Sequence, residues 1–375
     1  MQRPEVSLII VTYQAPGHLR RVLASVARQT VLDRIEIIVT DDGSTDSTRQ
    51  VVAEFSQTLG RPIAFVTHPH QGFHLTRCRN NGARVATAPY LLFLDGDCLI
   101  PPDHVERYLH ARRPNVVHFG YCCRLEREVS EQIDVATIAT ADFAAWATWS
   151  ERIKLAKIHG KSLFYNLLRH PSKPALKGGN IGIWQRDYQR LNGFDENFQA
   201  WGCEDDDLTL RVQAAGLRIA SILGATRTYH LWHPPAVSKP AQKWSEGANV
   251  AYLKRRGRLT QCLQGLQPRT LHDLRVGVAG NPEPRQARHF LRQVFGRDAA
   301  ADDNVEMEIM FSSGPGQFSS AVDCRVLVAS SPEDAPLRVR KQADLILPAH
   351  PSSAAEFLQR ELHIASSTTS HRRAA

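Results

Sequence analysis

The chain has 375 residues, 42% hydrophobic and 22% charged, a composition typical of a soluble globular protein that buries a substantial core. Its net charge of +8 favours anionic partners, but the basic residues are dispersed and no helix-turn-helix or zinc-finger signature is present, which argues against nucleic acid. No apolar run is long enough to span a membrane, and the seven cysteines lack disulfide or metal-site spacing, so we expect a reducing, cytoplasmic setting.

The first seventy residues alternate apolar strands with helical stretches. Strands are predicted at Val6–Val11, Glu36–Val39 and Ile63–Val66, and helices at Leu19–Val26 and around Val51–Phe55. Such alternation is typical of a doubly wound α/β fold with a parallel sheet.

A further apolar run, Tyr90–Leu94, predicts a strand buried on both faces, and it ends at Asp95-Gly96-Asp97. Residues two apart on an extended backbone point the same way, so Asp95 and Asp97 can share one hard cation. Asp-Gly is equally typical of a turn, and the run alone does not decide between a metal site and a strand-to-turn junction.

The second strand also ends in carboxylates, Asp41 and Asp42, followed by Gly43 and Ser44. Turn and helix-cap chemistry explains this pattern when it is taken alone. However, the carboxyl ends of parallel strands share one edge of a sheet, so these carboxylates are expected beside Asp95, where a nucleotide would bind.

Together these segments resemble the inverting glycosyltransferases of family 2, which have the GT-A fold, a Rossmann-like fold of nucleotide-diphospho-sugar transferases. The matching segments, in order, are Val6–Tyr13, Val39–Asp46, Arg79–Ala83 and Leu94–Asp97. The resemblance implies that Thr12 lies near the uracil, that Asp41 and Asp42 bind base and ribose, and that Arg79 helps to hold the nucleotide. It implies further that Asp95, beside the nucleotide, and Asp97 form the Asp-x-Asp motif that binds a divalent metal on the diphosphate.

The middle of the chain carries an apolar stripe at helical spacing, followed by lysines: Phe143, Trp146, Trp149 and Ile153, then Lys154, Lys157 and Lys161. A stripe of this kind is most often core. The alternative is an interfacial helix, since aromatic residues beside lysines suit a membrane surface or a lipid-linked acceptor.

An acidic cluster, Glu204–Asp207, opens a predicted helix. Helix capping explains one or two acids, and crowding four raises the proton affinity of some, which suits a general base. With Gly178-Gly179-Asn180, Gly193-Phe194 and Trp201 upstream, the region resembles the acceptor-side half of β-1,4-galactosyltransferases and chondroitin-type polymerases. The resemblance implies that Asp205 is the catalytic base, that Glu204 and Asp206 orient the acceptor, and that Trp201 forms an apolar platform for a sugar, with Gly178, Gly179 and Asn180 on the acceptor side.

His230 and His233 follow a predicted strand at Ile219–Ala225 and match the position where the family places its third metal ligand. Imidazole with two carboxylates suits Mn²⁺ better than Mg²⁺. If both histidines lay on one strand, a spacing of three would turn them to opposite sides, so only one would bind metal. His230 is the preferred ligand.

The resemblance fades after residue 240. We expect a GT-A domain at 1–260, a linker at 261–268, a small α/β domain of unknown role at 269–365 and a disordered tail at 366–375. Gly277 and Gly280 do not complete a dinucleotide fingerprint, so no cofactor is assigned to the C-terminal domain.

The sequence therefore predicts a metal-dependent inverting glycosyltransferase that moves a sugar from a nucleotide-diphosphate donor, a UDP-sugar by resemblance, to a hydroxyl of a glycan or lipid-linked acceptor. A peripheral position at the inner face of the cell membrane goes with the interfacial alternative. Two other classes stay open: a nucleotide-sugar or glycan-binding module without catalysis, and a metal hydrolase, although the latter lacks a paired-metal ligand pattern.

Overall fold

A seven-stranded mixed sheet forms the centre of the N-terminal part of the chain, in a computed structural model that describes residues 3–170, 172–234, 247–255, 257–300, 305–312 and 316–362. In spatial order the strands are β3 (Ala64–Thr67), β2 (Ile35–Asp41), β1 (Val6–Thr12), β4 (Tyr90–Asp95), β8 (Asn180–Trp184), β6 (Val116–Phe119) and β9 (Arg218–Ser221). The first four are parallel, whereas β8 is antiparallel to both β4 and β6. The α/β prediction is confirmed, with a parallel half and a mixed half.

Helices cover this sheet with apolar faces. They are α1 (Pro16–Ala27), α2 (Thr48–Thr58), α3 (Leu75–Val85), α4 (His104–Ala111), α5 (Arg127–Gln132), α6 (Val135–Thr140), α7 (Trp149–Leu167), α8 (Gln185–Arg190) and α9 (Glu204–Ala214). In α1, a proline in the first turn starts the helix, and Leu19, Val22 and Val26, at helical spacing, are completely buried.

Strand register brings the predicted nucleotide-binding residues to one edge of the sheet. Thr12 on β1 pairs with Asp41 on β2, and Val11 on β1 pairs with Asp95 on β4. Since the three strands are parallel, their carboxyl ends lie side by side, as the sequence predicts.

A second, small sheet supports this edge. It consists of β5 (Cys98–Leu99), β10 (Thr228–His230) and β7 (Cys122–Arg124), with β10 in the middle. Because β10 is antiparallel to β5, His230 lies opposite Cys98, one residue after Asp97. Strands of two and three residues carry too little periodicity to be predicted.

The C-terminal part has its own parallel sheet, with the strands in chain order: β11 (Val276–Ala279), β12 (Met307–Phe311), β13 (Cys324–Ala329) and β14 (Leu345–Pro348). Its region contains α11 (Pro284–Phe295), α12 (Leu337–Gln342) and α13 (Pro351–Glu361), and α10 (Ala248–Leu253) precedes them. The chain divides into the units Met1–Val250 and Ala251–Ala375, about ten residues before the predicted boundary. Leu259 and Leu263, the latter in the predicted linker, pack in the core of the second unit. The predicted tail at 366–375 lies outside the described residues.

The apolar stripe of the middle region is not one helical face. Phe143–Trp146 is a short 3₁₀ helix, and α7 begins afresh at Trp149. Phe143 is 3% exposed and lies in the core, whereas Trp149 is 75% exposed. Among the described residues, no helix has both the length and the apolar character needed to cross a membrane.

Candidate active site

A buried arginine joins the two halves of the predicted site. Arg79, on α3 and 1% exposed, places Nη2 3.4 Å from Asp95 Oδ1 and Nη1 3.3 Å from Asp205 Oδ1. Its guanidinium carbon also lies 4.9 Å from the centre of the Phe194 ring. A buried cation requires such partners. The arginine expected to hold nucleotide therefore lies between the end of β4 and the start of α9.

Two glycines leave space for the carboxylates of Asp95 and Asp205 because they carry no Cβ atom. A Cβ on Gly178 would lie 2.5 Å from Asp205 Oδ2, and one on Gly179 would lie 2.2 Å from Asp95 Oδ2. Gly179 also has a φ of +79°, which disfavours any residue with a side chain. The Gly-Gly pair therefore allows the protein's own carboxylates to approach the backbone closely.

The first turn of α9 concentrates carboxylates with raised proton affinity. Burial raises the pKa of Asp205, and nearby Arg79 opposes this increase while Asp206 adds to it. Burial, with a contribution from Asp205, raises the pKa of Glu204 to about 7. Asp206 is exposed, and Asp207 is completely buried in a 2.7 Å ion pair with Arg211. Asp207 is therefore structural, whereas the carboxylate of Asp205 contacts Arg79.

A second group gathers one carboxylate and two imidazoles. Asp97 Oδ2 lies 3.5 Å from His230 Nε2 and 3.3 Å from His233 Nε2, and one ligand atom from each of the three residues lies within 4.8 Å of the others. Burial raises the pKa of Asp97, but the hydrogen bond with His233 and the charge of His230 outweigh burial and lower it below its usual value. The carboxylate is therefore kept ionised.

The tautomer of His233 suits a cation. The carbonyl of Pro234 can only accept a hydrogen bond, so His233 Nδ1 donates to it over 2.7 Å. In the neutral ring, the Nε2 lone pair then faces the carboxylate of Asp97. Two electron pairs at this distance need a proton or a metal ion between them, and the outer hydrogen bond fixes the ring as it does for metal-binding histidines.

This geometry changes two expectations. β10 ends at His230, so the alternation of a strand does not apply to His233, and both rings reach Asp97. Asp95 is not in this group: β4 ends at Asp95, and its carboxylate turns to Arg79 instead. The turn at Gly96 thus separates two aspartates that an extended strand would have aligned.

The carboxylate of Asp41 serves the turn after β2. It accepts hydrogen bonds from the N–H groups of Gly43 and Ser44 and from the Thr67 hydroxyl, and the residue is 1% exposed. Asp42 is nearly as buried: the N–H of His74 donates to its Oδ2 over 3.1 Å, and His68 Nε2 lies 2.9 Å from its Oδ1. Both residues lie at the predicted edge, with turn and packing roles that the sequence offered as the alternative.

Histidines that sequence reasoning missed surround Asp42. The His70 ring stacks on Tyr13, with centroids 4.3 Å apart and planes at 10°, and its Nδ1 lies 2.9 Å from the Asp42 carbonyl. Asp42, His68 and Cys78 form a buried group with metal-ligand atoms. However, Asn81 Nδ2 donates to His68 Nδ1, which leaves the proton on Nε2, facing Asp42, so this group is a hydrogen-bonded support. The close spacing of His68, His70 and His74 in the sequence was the signal that could have identified this group.

The other predicted residues are placed as follows. The Thr12 hydroxyl is buried at the end of β1 and has no hydrogen-bond partner among the described residues. Asn180 is 1% exposed and accepts a 2.9 Å hydrogen bond from the Tyr108 hydroxyl, so it supports β8 from within. Trp201 is 42% exposed, as a sugar platform requires.

A parallel-rich sheet with Asp95 and Asp97 at its carboxyl edge, and with Asp205 of α9 joined to that edge through Arg79, is the arrangement expected of a glycosyltransferase with the GT-A fold. Residues 7–128 match the family model described as glycosyl transferase family 2, and residues 164–234 match the model described as N-terminal domain of galactosyltransferase. The putative glycosyltransferase EpsH of Bacillus subtilis is 34% identical over 343 residues, which is 88% of this chain and 92% of that protein. The chain belongs to glycosyltransferase family 2.

Two further proteins are similar to this chain over a smaller share of its length. Validoxylamine A glucosyltransferase of Streptomyces hygroscopicus subsp. jinggangensis is 32% identical over 234 residues, so the match covers 57% of this chain and about half, 52%, of that relative. The crystal structure of S. aureus TarS 1-349 in complex with UDP-GlcNAc is 16% identical with a TM-score of 0.45, covering 64% of this chain and 62% of that one.

Proposed function

We propose that this glycosyltransferase moves a sugar from a nucleotide-diphosphate donor to an acceptor hydroxyl with inversion at the anomeric carbon, and that Asp205 is the general base. The observation that carries the proposal is the contact of one buried guanidinium, that of Arg79, with both Asp95 and Asp205. Asp95 ends the strand of the donor half, and Asp205 opens the helix of the acceptor half. The two reactants would therefore meet beside Arg79.

The chemistry needs one base on the acceptor side. As the acceptor oxygen bonds to the anomeric carbon, the bond from that carbon to the diphosphate oxygen breaks, and the hydroxyl proton passes to Asp205. Burial raises the pKa of Asp205, which suits a proton acceptor, and the charge of Arg79 opposes this increase. Gly178 and Gly179 leave the space beside both carboxylates free, and the exposed Trp201 offers an apolar face to a sugar ring.

Asp97, His230 and His233 are the residues that would hold a divalent cation, and a set of two imidazoles and one carboxylate favours Mn²⁺ over Mg²⁺. When bound, such a cation supplies the positive charge that neutralises the diphosphate leaving group. The low pKa of the Asp97 carboxyl keeps this residue ready as an anionic ligand at neutral pH.

We infer a UDP-sugar as donor and a glycan or lipid-linked hydroxyl as acceptor. The donor inference is supported by Thr12, whose buried hydroxyl has no hydrogen-bond partner within the described part of the chain, at the edge where the family resemblance places uracil. The acceptor inference is supported by the match of residues 164–234 to a galactosyltransferase domain.

The test is incubation with Mn²⁺ and a panel of nucleotide-sugars, with release of nucleotide diphosphate as the readout. Asp205→Asn is expected to lower turnover about 10²- to 10⁴-fold, because general-base catalysis contributes that much, while nucleotide affinity stays the same. The control is Asp103→Asn, which changes a surface carboxylate paired with Arg107 and should leave turnover unchanged.

Each other outcome identifies a different class. Nucleotide binding without release would favour a binding module, and activity on simple phosphate esters would favour a hydrolase. Equal turnover in Asp205→Asn and the unmodified protein would remove Asp205 from the mechanism.

A further inference from the structure

The last two turns of α7 present an apolar surface that the described residues leave uncovered. Leu163, Phe164, Leu167 and the following Leu168 are 56%, 57%, 80% and 58% exposed. These four belong to the eleven large hydrophobic side chains that are exposed in the described part of the chain, and they fall within six consecutive residues. Such a concentration marks an interaction surface rather than scattered surface residues.

The opposite face of α7 is fixed to the protein. Leu155 and Ser162 are buried, and Asn166 Nδ2 donates a 3.0 Å hydrogen bond to the carbonyl of Ile219 on β9. The helix is therefore held in place with its exposed apolar residues turned outward. We call Leu163, Phe164, Leu167 and Leu168 the apolar patch.

The apolar patch lies within a stretch of the chain in which every formally charged side chain is basic. Residues 152–186 contain eight lysines and arginines and no aspartate or glutamate: Arg152, Lys154, Lys157, Lys161, Arg169, Lys173, Lys177 and Arg186. Six of these are exposed and form no ion pair with another described residue, namely Arg152, Lys157, Lys161, Arg169, Lys173 and Lys177. Lys157 and Lys161 precede Phe164 by seven and three positions, so they lie on the same side of the helix as the patch.

We propose that the C-terminal half of α7 docks on an anionic lipid surface, with the apolar patch at the boundary of the acyl chains and the lysines among the headgroups. An amphipathic helix with lysines beside Leu and Phe has the chemistry of an interfacial helix, and each lysine near an anionic surface adds electrostatic attraction. A second copy of this chain is a poorer occupant, because a symmetric contact would bring two acid-free basic stretches together.

The docking surface is close in sequence to a residue of the candidate active site. Gly178, which contacts Asp205, follows Leu168 by ten positions. A membrane-bound enzyme would meet an acceptor carried by the same membrane, and this consequence, unlike the docking itself, rests on the proposed function.

The experiment is sedimentation of the full chain with vesicles of phosphatidylcholine alone or of equal parts phosphatidylcholine and phosphatidylglycerol, at low and at physiological salt. We expect retention on the anionic vesicles, weakening with salt. Phe164→Gln with Leu167→Gln, and separately Lys157→Gln with Lys161→Gln, should each reduce binding about tenfold or more. The control Leu337→Gln replaces a leucine that is also 57% exposed, in the C-terminal unit, and should bind as the unmodified chain does.

Three results would overturn the proposal: failure of the anionic vesicles to retain the chain at low salt, equal binding by the Phe164 and Leu167 double variant, or a dimer in solution that this variant abolishes. Circular dichroism checks that every variant is folded. Release of nucleotide diphosphate in solution, without vesicles, should be the same for the double variant and the unmodified chain. A failure of the membrane-docking proposal can therefore be distinguished from a failure of the glycosyltransferase proposal.

Discussion

At the scale of single residues, Arg79 has the central position. Its guanidinium contacts Asp205, 126 positions away in the chain, and Asp95, 16 positions away. Burial lowers the pKa of Arg79, but the two carboxylates more than compensate and raise it, so the charge persists. The same contact opposes the burial that raises the pKa of Asp205. The proton affinity of the proposed base thus depends on the distance between two side chains.

Replacing Arg79 by a neutral residue should shift the pH profile. In Arg79→Gln the main charge that opposes the effect of burial on Asp205 is lost, so the pKa of Asp205 rises further and the acid limb of the kcat/KM profile moves to higher pH. Arg79→Lys keeps the charge and should leave the limb near its original position. The measurement is nucleotide diphosphate release across pH.

The control for this profile is Arg84→Gln, which changes an arginine on the same helix that pairs with Glu196. The acid limb of the kcat/KM profile of this variant should coincide with that of the unmodified protein. Tryptophan fluorescence checks that Arg79→Gln is folded. An acid limb at the same pH in Arg79→Gln as in the unmodified protein would contradict the proposal that Arg79 lowers the pKa of Asp205.

The metal assignment is tested by titration calorimetry of UDP with and without Mn²⁺. Asp97→Asn and His233→Ala should each weaken the Mn²⁺-dependent affinity about tenfold or more, because each removes a proposed ligand. His110→Ala, on the exposed side of α4, serves as control. Unchanged UDP affinity with Mn²⁺ in Asp97→Asn would count against this cation site.

Residue types and their order predicted which side chains gather at the sheet edge, but not what each one touches. Asp41 was expected at the nucleotide, and its carboxylate accepts hydrogen bonds from the turn that follows it. The position of Arg79 between two carboxylates depends on contacts across the sheet, which no local pattern encodes. The tautomer of His233 likewise follows from a neighbouring carbonyl.

At the scale of elements, the junction before β8 is the most constrained part of the site. Its two glycines face the carboxylates that end β4 and open α9, and the carbonyl of Gly179 accepts a 3.1 Å hydrogen bond from the N–H of Asp95. The backbone of Gly178 and Gly179 therefore lies directly against the carboxylates of both the donor half and the acceptor half.

Alanine at these glycines should separate a steric effect from backbone strain. Gly178→Ala is expected to lower turnover by displacing Asp205, with little loss of stability, whereas Gly179→Ala should lower turnover and also destabilise by about 1–3 kcal/mol because of its positive φ. Turnover and urea unfolding are the two measurements.

The matched control is Gly160→Ala, inside α7, where a Cβ meets no atom within 4 Å. It should stabilise by about 0.5–1 kcal/mol and leave turnover unchanged. Normal turnover in Gly178→Ala would show that Asp205 has room to move.

The long strands and their polar ends were predictable because buried runs such as Tyr90–Leu94 carry a strong pattern. The pairing of β5 with β10 was not, because it involves only two residues of β5, yet it brings His230 beside Asp97. The restart of the helix at Trp149 was also missed, since the apolar spacing continues through a 3₁₀ turn.

At the scale of the whole molecule, each unit has its own hydrophobic core. One core lies between Val6 and Leu231, and the other between Leu259 and Leu362. The sequence predicted a small α/β domain in the C-terminal part, but it placed the start of this domain after Leu263, because Leu263 lies in a Gly- and Pro-containing segment typical of a linker. Only the packing of Leu259 and Leu263 shows that this segment belongs to the second core.

Separate cores predict separate unfolding transitions. All six tryptophans precede Val250, so their fluorescence reports on the N-terminal unit. Leu347→Ala, in the core of the C-terminal unit, should destabilise that unit by about 2–5 kcal/mol while the fluorescence transition and UDP affinity stay unchanged. Leu92→Ala, in the N-terminal core, should move the fluorescence transition by a similar amount. A fluorescence transition that Leu347→Ala shifts as far as Leu92→Ala does would mean that the two units unfold as one, and the C-terminal unit would then contribute directly to the stability of the active site.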